Sequence, residues 1–132
     1  MSQEDVDLIV RMYERGQNDA ETFFSVCDPQ IEWDMSRLMP DGRVYHGHAG
    51  VRDFWRGWAG TWDDFEFSID KVVDADGGEV VVSVHQAGTG RGSGAAVAFD
   101  FGQVWTVRDG RIVRFRAFPD FAQALEAVGL AE

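Results

Sequence analysis

The sequence predicts an α+β fold: a cone-shaped, curved antiparallel sheet wrapped over three N-terminal helices, with a short C-terminal helix. Three observations predict it. Apolar residues recur at helical spacing up to about residue 60, and from residue 65 the period changes from 3.6 to 2. The later alternating runs are joined by the turn sequences Asp76-Gly77-Gly78 and Asp109-Gly110 and by a glycine-rich loop, as hairpins are. Helices segregated from an antiparallel meander define the α+β class. A strongly twisted sheet of this size curls over its helices and leaves a conical hollow.

The elements follow in order. Residues 2–16 read as a helix that Ser2 can cap, with Val6, Ile9, Val10 and Tyr13 on one face. Asn18 and Asp19 break it. A second short helix, about 20–27, carries Phe23, Phe24 and Val26 toward Asp28-Pro29. The run 31–35 alternates as a short strand, with Ile31, Trp33 and Met35 on one side and Glu32 and Asp34 on the other. Residues 36–47 read as a loop containing Pro40, Asp41-Gly42 and Gly47. The clearest helix, about 48–60, sets Val51, Phe54, Trp55, Trp58 and, at its end, Trp62 on helical spacing against Arg52, Asp53 and Arg56. Strands are expected at 65–74, 79–88, 95–108 and 111–118. Asp120 caps a last helix whose inner face is Phe121, Leu125 and Val128.

With 132 residues the chain makes one domain, 1–132, with one sizeable core. Ten Phe and five Trp either fill that core or line a cavity in it. A net charge of −11 repels phosphate backbones and anionic lipid, so neither nucleic acid nor a membrane surface is expected as a partner. The charge is uneven, because residues 87–118 hold five Arg and two Asp. The single cysteine, Cys27, excludes an internal disulfide, and its apolar setting predicts an inert packed thiol. The N-terminal segment lacks the pattern of a secretory signal and no apolar run approaches the ~20 residues of a membrane span, so a cytoplasmic location is expected.

The chemistry-bearing candidates are few. The loop at 88–94 joins two strands, whereas a phosphate cradle needs a following helix, so it is expected to be a flexible hairpin connection. His46 and His48 straddle a helix start and point apart, so no metal is expected; His48 is read as a cap and His46 as a half-exposed loop residue. No cofactor is implied. Asp34 is the acid nearest the large rings in sequence. It is either a general base turned into the hollow by a local twist or a solvated acid at a strand edge. Tyr13 ends the apolar face of the first helix, where a phenol either presents its hydroxyl to the hollow or keeps it in water.

Two strands each carry one amide in an apolar row. Gln103 stands among Val97, Phe99, Phe101, Trp105 and Val107, and Gln86 among Val80, Val82, Val84 and Gly88. A buried amide without partners costs ~1–3 kcal/mol. Either the two satisfy each other or Tyr13, or they are the few polar groups that orient a mostly apolar ligand.

The order of elements, the phrase YHGHAGVRDFW at 45–55 and the ending VWTVRDGRIVRFRAFPDFAQALEAVGL at 104–130 resemble the SnoaL-like branch of the nuclear transport factor 2-like superfamily. The resemblance spans nearly the whole chain and implies the cone-shaped fold. That fold hosts many functions, among them ketosteroid isomerases, polyketide cyclases, hydrolases and non-catalytic binding domains. Set against the isomerases, the resemblance puts Trp33 where the base stands, with Asp34 one step later. It puts Gln103 where a protonated acid donates to the substrate oxygen and Tyr13 near the partner phenol, and it matches Phe54 and Trp55 to an aromatic pair of the pocket.

Two functions are therefore expected. One is an isomerase, cyclase or hydrolase acting on a small hydrophobic compound that bears oxygen, with Asp34, Tyr13 and Gln103 as the catalytic set. The alternative is a non-catalytic ligand-binding or dimeric assembly module. In both, the ligand site is lined by Trp33, Phe54, Trp55, Trp58, Gln86, Phe99, Phe101 and Trp105. The expected partners are a small apolar molecule and a second copy of the chain. The homodimer would form through an outer sheet face of Val104, Thr106, Arg114, Arg116 and Phe118.

Overall fold

The computed structural model describes residues 2–16, 19–39 and 41–130. The Ser2 side chain, Asn18 and Pro40, to which expectations attach above, lie outside the described residues. The order is α1 (Ser2–Gly16), α2 (Ala20–Ser25), β1 (Cys27–Asp34), β2 (Val44–His46), α3 (Gly47–Gly60), β3 (Trp62–Asp74), β4 (Glu79–Gly90), β5 (Ala96–Arg108), β6 (Arg111–Phe118) and α4 (Phe121–Ala127).

The strands form one six-stranded sheet in the order β2-β1-β6-β5-β4-β3. β6 through β3 make the expected antiparallel meander, but β1 joins β6 in parallel. The sheet is therefore mixed and not purely antiparallel. The connection between β1 and β6 passes through most of the chain, so no short hairpin dictates their direction. The Asp109-Gly110 hairpin is a two-residue turn with both residues at positive φ, 52° and 76°, the geometry that matches strand twist.

Two clusters hold the fold together. On the concave face, Ile9, Met12, Trp33, Val51, Phe54, Val82, Val84, Trp105 and Phe115 belong to the main core beneath α1 and α3. On the convex face, Val81, Val104, Phe118, Ala124 and Leu125 pack under α4. Asp120 caps α4, its carboxylate accepting from the Gln123 N–H at 2.8 Å. Asp19 caps α2, accepting from Glu21 N–H and Thr22 N–H, so the residue expected to end one helix also starts the next.

Several boundaries differ from expectation. β1 begins at Cys27, not near Ile31, because its first part pairs with Ile112 across a register shift. The loop expected at 36–47 contains β2, a short edge strand whose Trp33↔Tyr45 pairing covers the side of β1. The glycine loop is shorter than expected. Gly88, Thr89 and Gly90 continue β4, and a Cβ on Gly88 would meet the Asp64 carbonyl oxygen at 2.5 Å. His48 does not cap α3. Its Nε2 lies 3.0 Å from the Cys27 carbonyl oxygen and ties the helix to β1, while His46, at the end of β2, is exposed. No described helix is long and apolar enough to cross a membrane.

Candidate functional site

The sheet curvature leaves a cavity of about 930 Å³ between its concave face and the helices. That volume lies within the ~300–1,000 Å³ usual for small-molecule sites. Its walls come from helices and sheet alike. α1 supplies Met12 and Tyr13, α2 supplies Phe23 and Phe24, β1 supplies Trp33, α3 supplies Phe54, Trp55 and Trp58, and the meander supplies Phe67, Gln86, Phe99, Phe101, Gln103, Trp105 and Phe115. Period-2 alternation explains the meander's contribution, since every second side chain of β4 and β5 faces inward.

Rings form the inner end. Trp33 stacks on Phe115 with centroids 3.9 Å apart and meets Trp105 edge-on at 5.7 Å. Phe54 and Trp55 each lie with ring centroids 6.0 Å from Trp33. Phe54 also stacks with Trp58 at 5.9 Å, one turn further along α3.

Among these rings sit a few neutral polar groups. The Gln103 Oε1 accepts a hydrogen bond from Trp105 Nε1 at 3.1 Å, which leaves the amide's Nε2 as a donor. Tyr13 packs edge-on against Trp105 at 6.0 Å. Burial drives its phenol pKa far above the ordinary value, against a hydrogen-bonding contact with Trp105, so the hydroxyl keeps its proton. The indole N–H of Trp33 and both amide atoms of Gln86 are buried without a hydrogen-bond partner among the described residues. Gln86 and Gln103 do not satisfy each other. In the β4–β5 register Gln86 stands opposite Phe99 and Gln103 opposite Val82. Four residues of strand separate them, roughly 13 Å at ~3.3 Å per residue.

The structure thus brings Tyr13, Trp33, Phe54, Trp55, Trp58, Gln86, Phe99, Phe101, Gln103 and Trp105 to one cavity wall, and leaves Asp34 out of it. Asp34 as a base inside the hollow is corrected by strand parity. Trp33 faces inward on Phe115, so Asp34, paired in register with Arg116, faces the convex side. The alternative of a solvated edge acid is corrected too, because β2 covers that edge and the residue is only 5% exposed. Its carboxylate accepts from Ser36 N–H at 2.9 Å, from Ser36 Oγ–H at 2.6 Å and from Arg37 at 3.1 Å. Burial alone would raise its pKa, but these hydrogen bonds and the Arg37 and Arg114 charges outweigh it and hold the carboxyl below its usual value.

Sequence reasoning missed Phe23, Phe67 and Phe115 as lining residues. For Phe115 a signal existed: it is opposite Trp105 in the β5–β6 register, which the Asp109-Gly110 turn sets. Charged groups of the lining, Asp19, Arg52, Arg56, Asp63, Asp64 and Arg91, are exposed and mark the mouth. Cys27 is buried away from the lining, and its thiol is pushed up to about 12 by burial.

A curved sheet with an aromatic, nearly neutral hollow defines a class of small-domain scaffold, and the comparisons name it. The family model of the SnoaL-like domain matches residues 9–115, and the chain belongs to that family. No curated protein sequence matches the chain. Among solved structures it is similar to TerC co-crystallised with polyporic acid, at 22% identity, covering 95% of this chain and 98% of that one, with a TM-score of 0.74. It is also similar to a putative SnoaL-like polyketide cyclase from a Jannaschia species, at 18% identity, 96% and 92% coverage and a TM-score of 0.76. An NTF2-like protein from Burkholderia thailandensis matches at 27% identity, 92% and 96% coverage and a TM-score of 0.73.

Proposed function

We propose that the cavity binds a flat, mostly apolar small molecule bearing oxygen, oriented by neutral hydrogen-bond donors. The observation that carries this reading is the ring-walled cavity in which the Gln103 amide has its oxygen taken and its N–H groups left to give. An amide donor needs no proton to be held, so its hold on a ligand oxygen is independent of pH between the carboxylate and lysine ranges. TerC was co-crystallised with polyporic acid, which supports a small organic molecule as a ligand of this scaffold.

A second reading is catalysis of the isomerase, cyclase or hydrolase kind. The similarity to a putative polyketide cyclase favours it. So does the proximity of Tyr13 and Gln103, both adjoining Trp105, as two neutral donors able to polarise one carbonyl oxygen. In this reading the donors stabilise an enolate-like oxygen. The proton acceptor is then a group other than Asp34, which is engaged by Ser36 and Arg37 on the opposite face.

All five tryptophans line the cavity, so their indole N–H resonances report on its contents. Titration with naphthalene, followed by proton–nitrogen NMR, is expected to shift the Trp33 and Trp105 indole signals together. Indole signals that stay fixed at saturating naphthalene would falsify a ligand-accessible cavity. Native mass spectrometry of the freshly purified protein then identifies a retained compound, and turnover of that compound separates the two readings.

A further inference from the structure

The Gln103 end of the cavity has internal hydrogen bonding, but among the described residues Gln86 finds none. It is 0% exposed, lines the cavity, and neither its Nε2 nor its Oε1 has a hydrogen-bond partner among those residues. Its cross-strand neighbours are Phe67 on β3 and Phe99 on β5, which supply rings and no polar side chain. The same inward row holds Val80, Val82 and Val84, so an apolar side chain at this position would continue the core without leaving polar atoms unmatched.

A carboxamide displays a donor and an acceptor side by side, and its complement is an edge that displays an acceptor and a donor. An ionised carboxylate offers acceptors alone and would oppose Oε1. The arginines of the lining, Arg52, Arg56 and Arg91, are exposed at the mouth and do not neutralise a charge held at Gln86. A ketone or ether satisfies Nε2 and leaves Oε1 unmatched. We propose that Gln86 selects ligands with an uncharged donor–acceptor edge, a lactam or carboxamide, held roughly 13 Å along the strands from the Gln103 donor. This rests on the cavity being the ligand site and adds the chemistry of its second polar station.

Three bicyclic probes of one shape separate the two claims: naphthalene with no polar edge, quinoline with an acceptor alone, and 2-quinolinone with a lactam. Their dissociation constants are measured by calorimetry on the wild-type protein and on Gln86→Met. In the wild type, 2-quinolinone is expected to bind about tenfold tighter than either of the others, the effect of two modest hydrogen bonds. It should also shift the Gln86 side-chain amide resonances, which naphthalene should not. In Gln86→Met the lactam preference should vanish while naphthalene still binds. If naphthalene binds the wild type and the lactam gains nothing, the Gln86 proposal is overturned and the cavity reading stands. Persistence of the preference in Gln86→Met also overturns it. If none of the three binds, both fall. Should the variant fail to fold, the wild-type ranking and the amide shifts decide alone.

Discussion

Gln86 and Asp34 are both buried polar residues, but the sequence presents them differently: Gln86 stands in an apolar row of its strand, and Asp34 shares the polar side of its strand with Glu32. Their environments pull in opposite directions. Gln86 is unsatisfied, so Gln86→Met is expected to raise the stability of the ligand-free protein by about 1–3 kcal/mol, read from urea unfolding. Asp34 is satisfied by Ser36 and Arg37, so Asp34→Ala is expected to cost about 1–2 kcal/mol and to leave naphthalene affinity unchanged. The sign of its pH dependence follows from the direction of its shift. The folded-state pKa lies below the unfolded value of about 3.9. Its contribution is therefore complete above that value and is lost as pH falls through the depressed one. Wild type and Asp34→Ala should converge in stability at the acid end of a titration and separate as pH rises past about 4. A loss of probe binding in Asp34→Ala at neutral pH would return Asp34 to the site. The inward place of Gln86 and Gln103 was legible from alternation alone. The place of Asp34 was legible too, since parity with Trp33 sends it outward, but its burial was not. That depends on β2 and on the Ser36–Arg37 turn, neither of which leaves a periodic signature.

At the scale of elements, what could be read tracks how strongly each segment repeats. The helix Gly47–Gly60 and the strands of the meander show long, clean periods, and their positions were legible to within a few residues. β2 is three residues long, and its sequence Val44-Tyr45-His46 is too short to alternate visibly. The parallel pairing of β1 with β6 is decided by tertiary packing, chiefly Trp33 on Phe115, and no local sequence encodes it. α4 was legible from its Asp120 cap, but its docking was not, because that requires a strand residue with no side chain. Gly102 is that residue. A Cβ there would meet the Asp120 carbonyl oxygen at 2.6 Å and the Ala124 Cβ at 2.9 Å. Gly102→Ala is expected to push α4 off the convex face and to destabilise the protein by about 1–3 kcal/mol, as overpacking does. Hydrogen exchange should show the loss first in Phe121–Ala127. Unchanged protection there would mean that α4 is not held by close contact with β5.

For the whole molecule, the docked α4 alters the expected second copy. The outer row proposed for dimerisation loses Val104 and Phe118 to the α4 cluster. What remains is Thr106 with Arg114 and Arg116, and those arginines are already paired within the chain, to Glu32 at 3.0 Å and to Glu79 at 2.8 Å. A homodimer using this surface would therefore not depend on ion pairs between copies. Its electrostatics would be set by net charge, and two chains of −11 repel. At ~0.01 M salt the Debye length is about 30 Å and that repulsion spans the interface; at ~0.15 M it is about 8 Å and most of it is screened. Added salt should therefore strengthen association, the opposite of what an interface built on intermolecular salt bridges would do. Sedimentation equilibrium at micromolar protein should show the dimer fraction rising between those two salt concentrations. A monomer at both would remove the homodimer, and a dimer that dissociates as salt is added would mean that Arg114 and Arg116 exchange their internal partners for the neighbour's carboxylates.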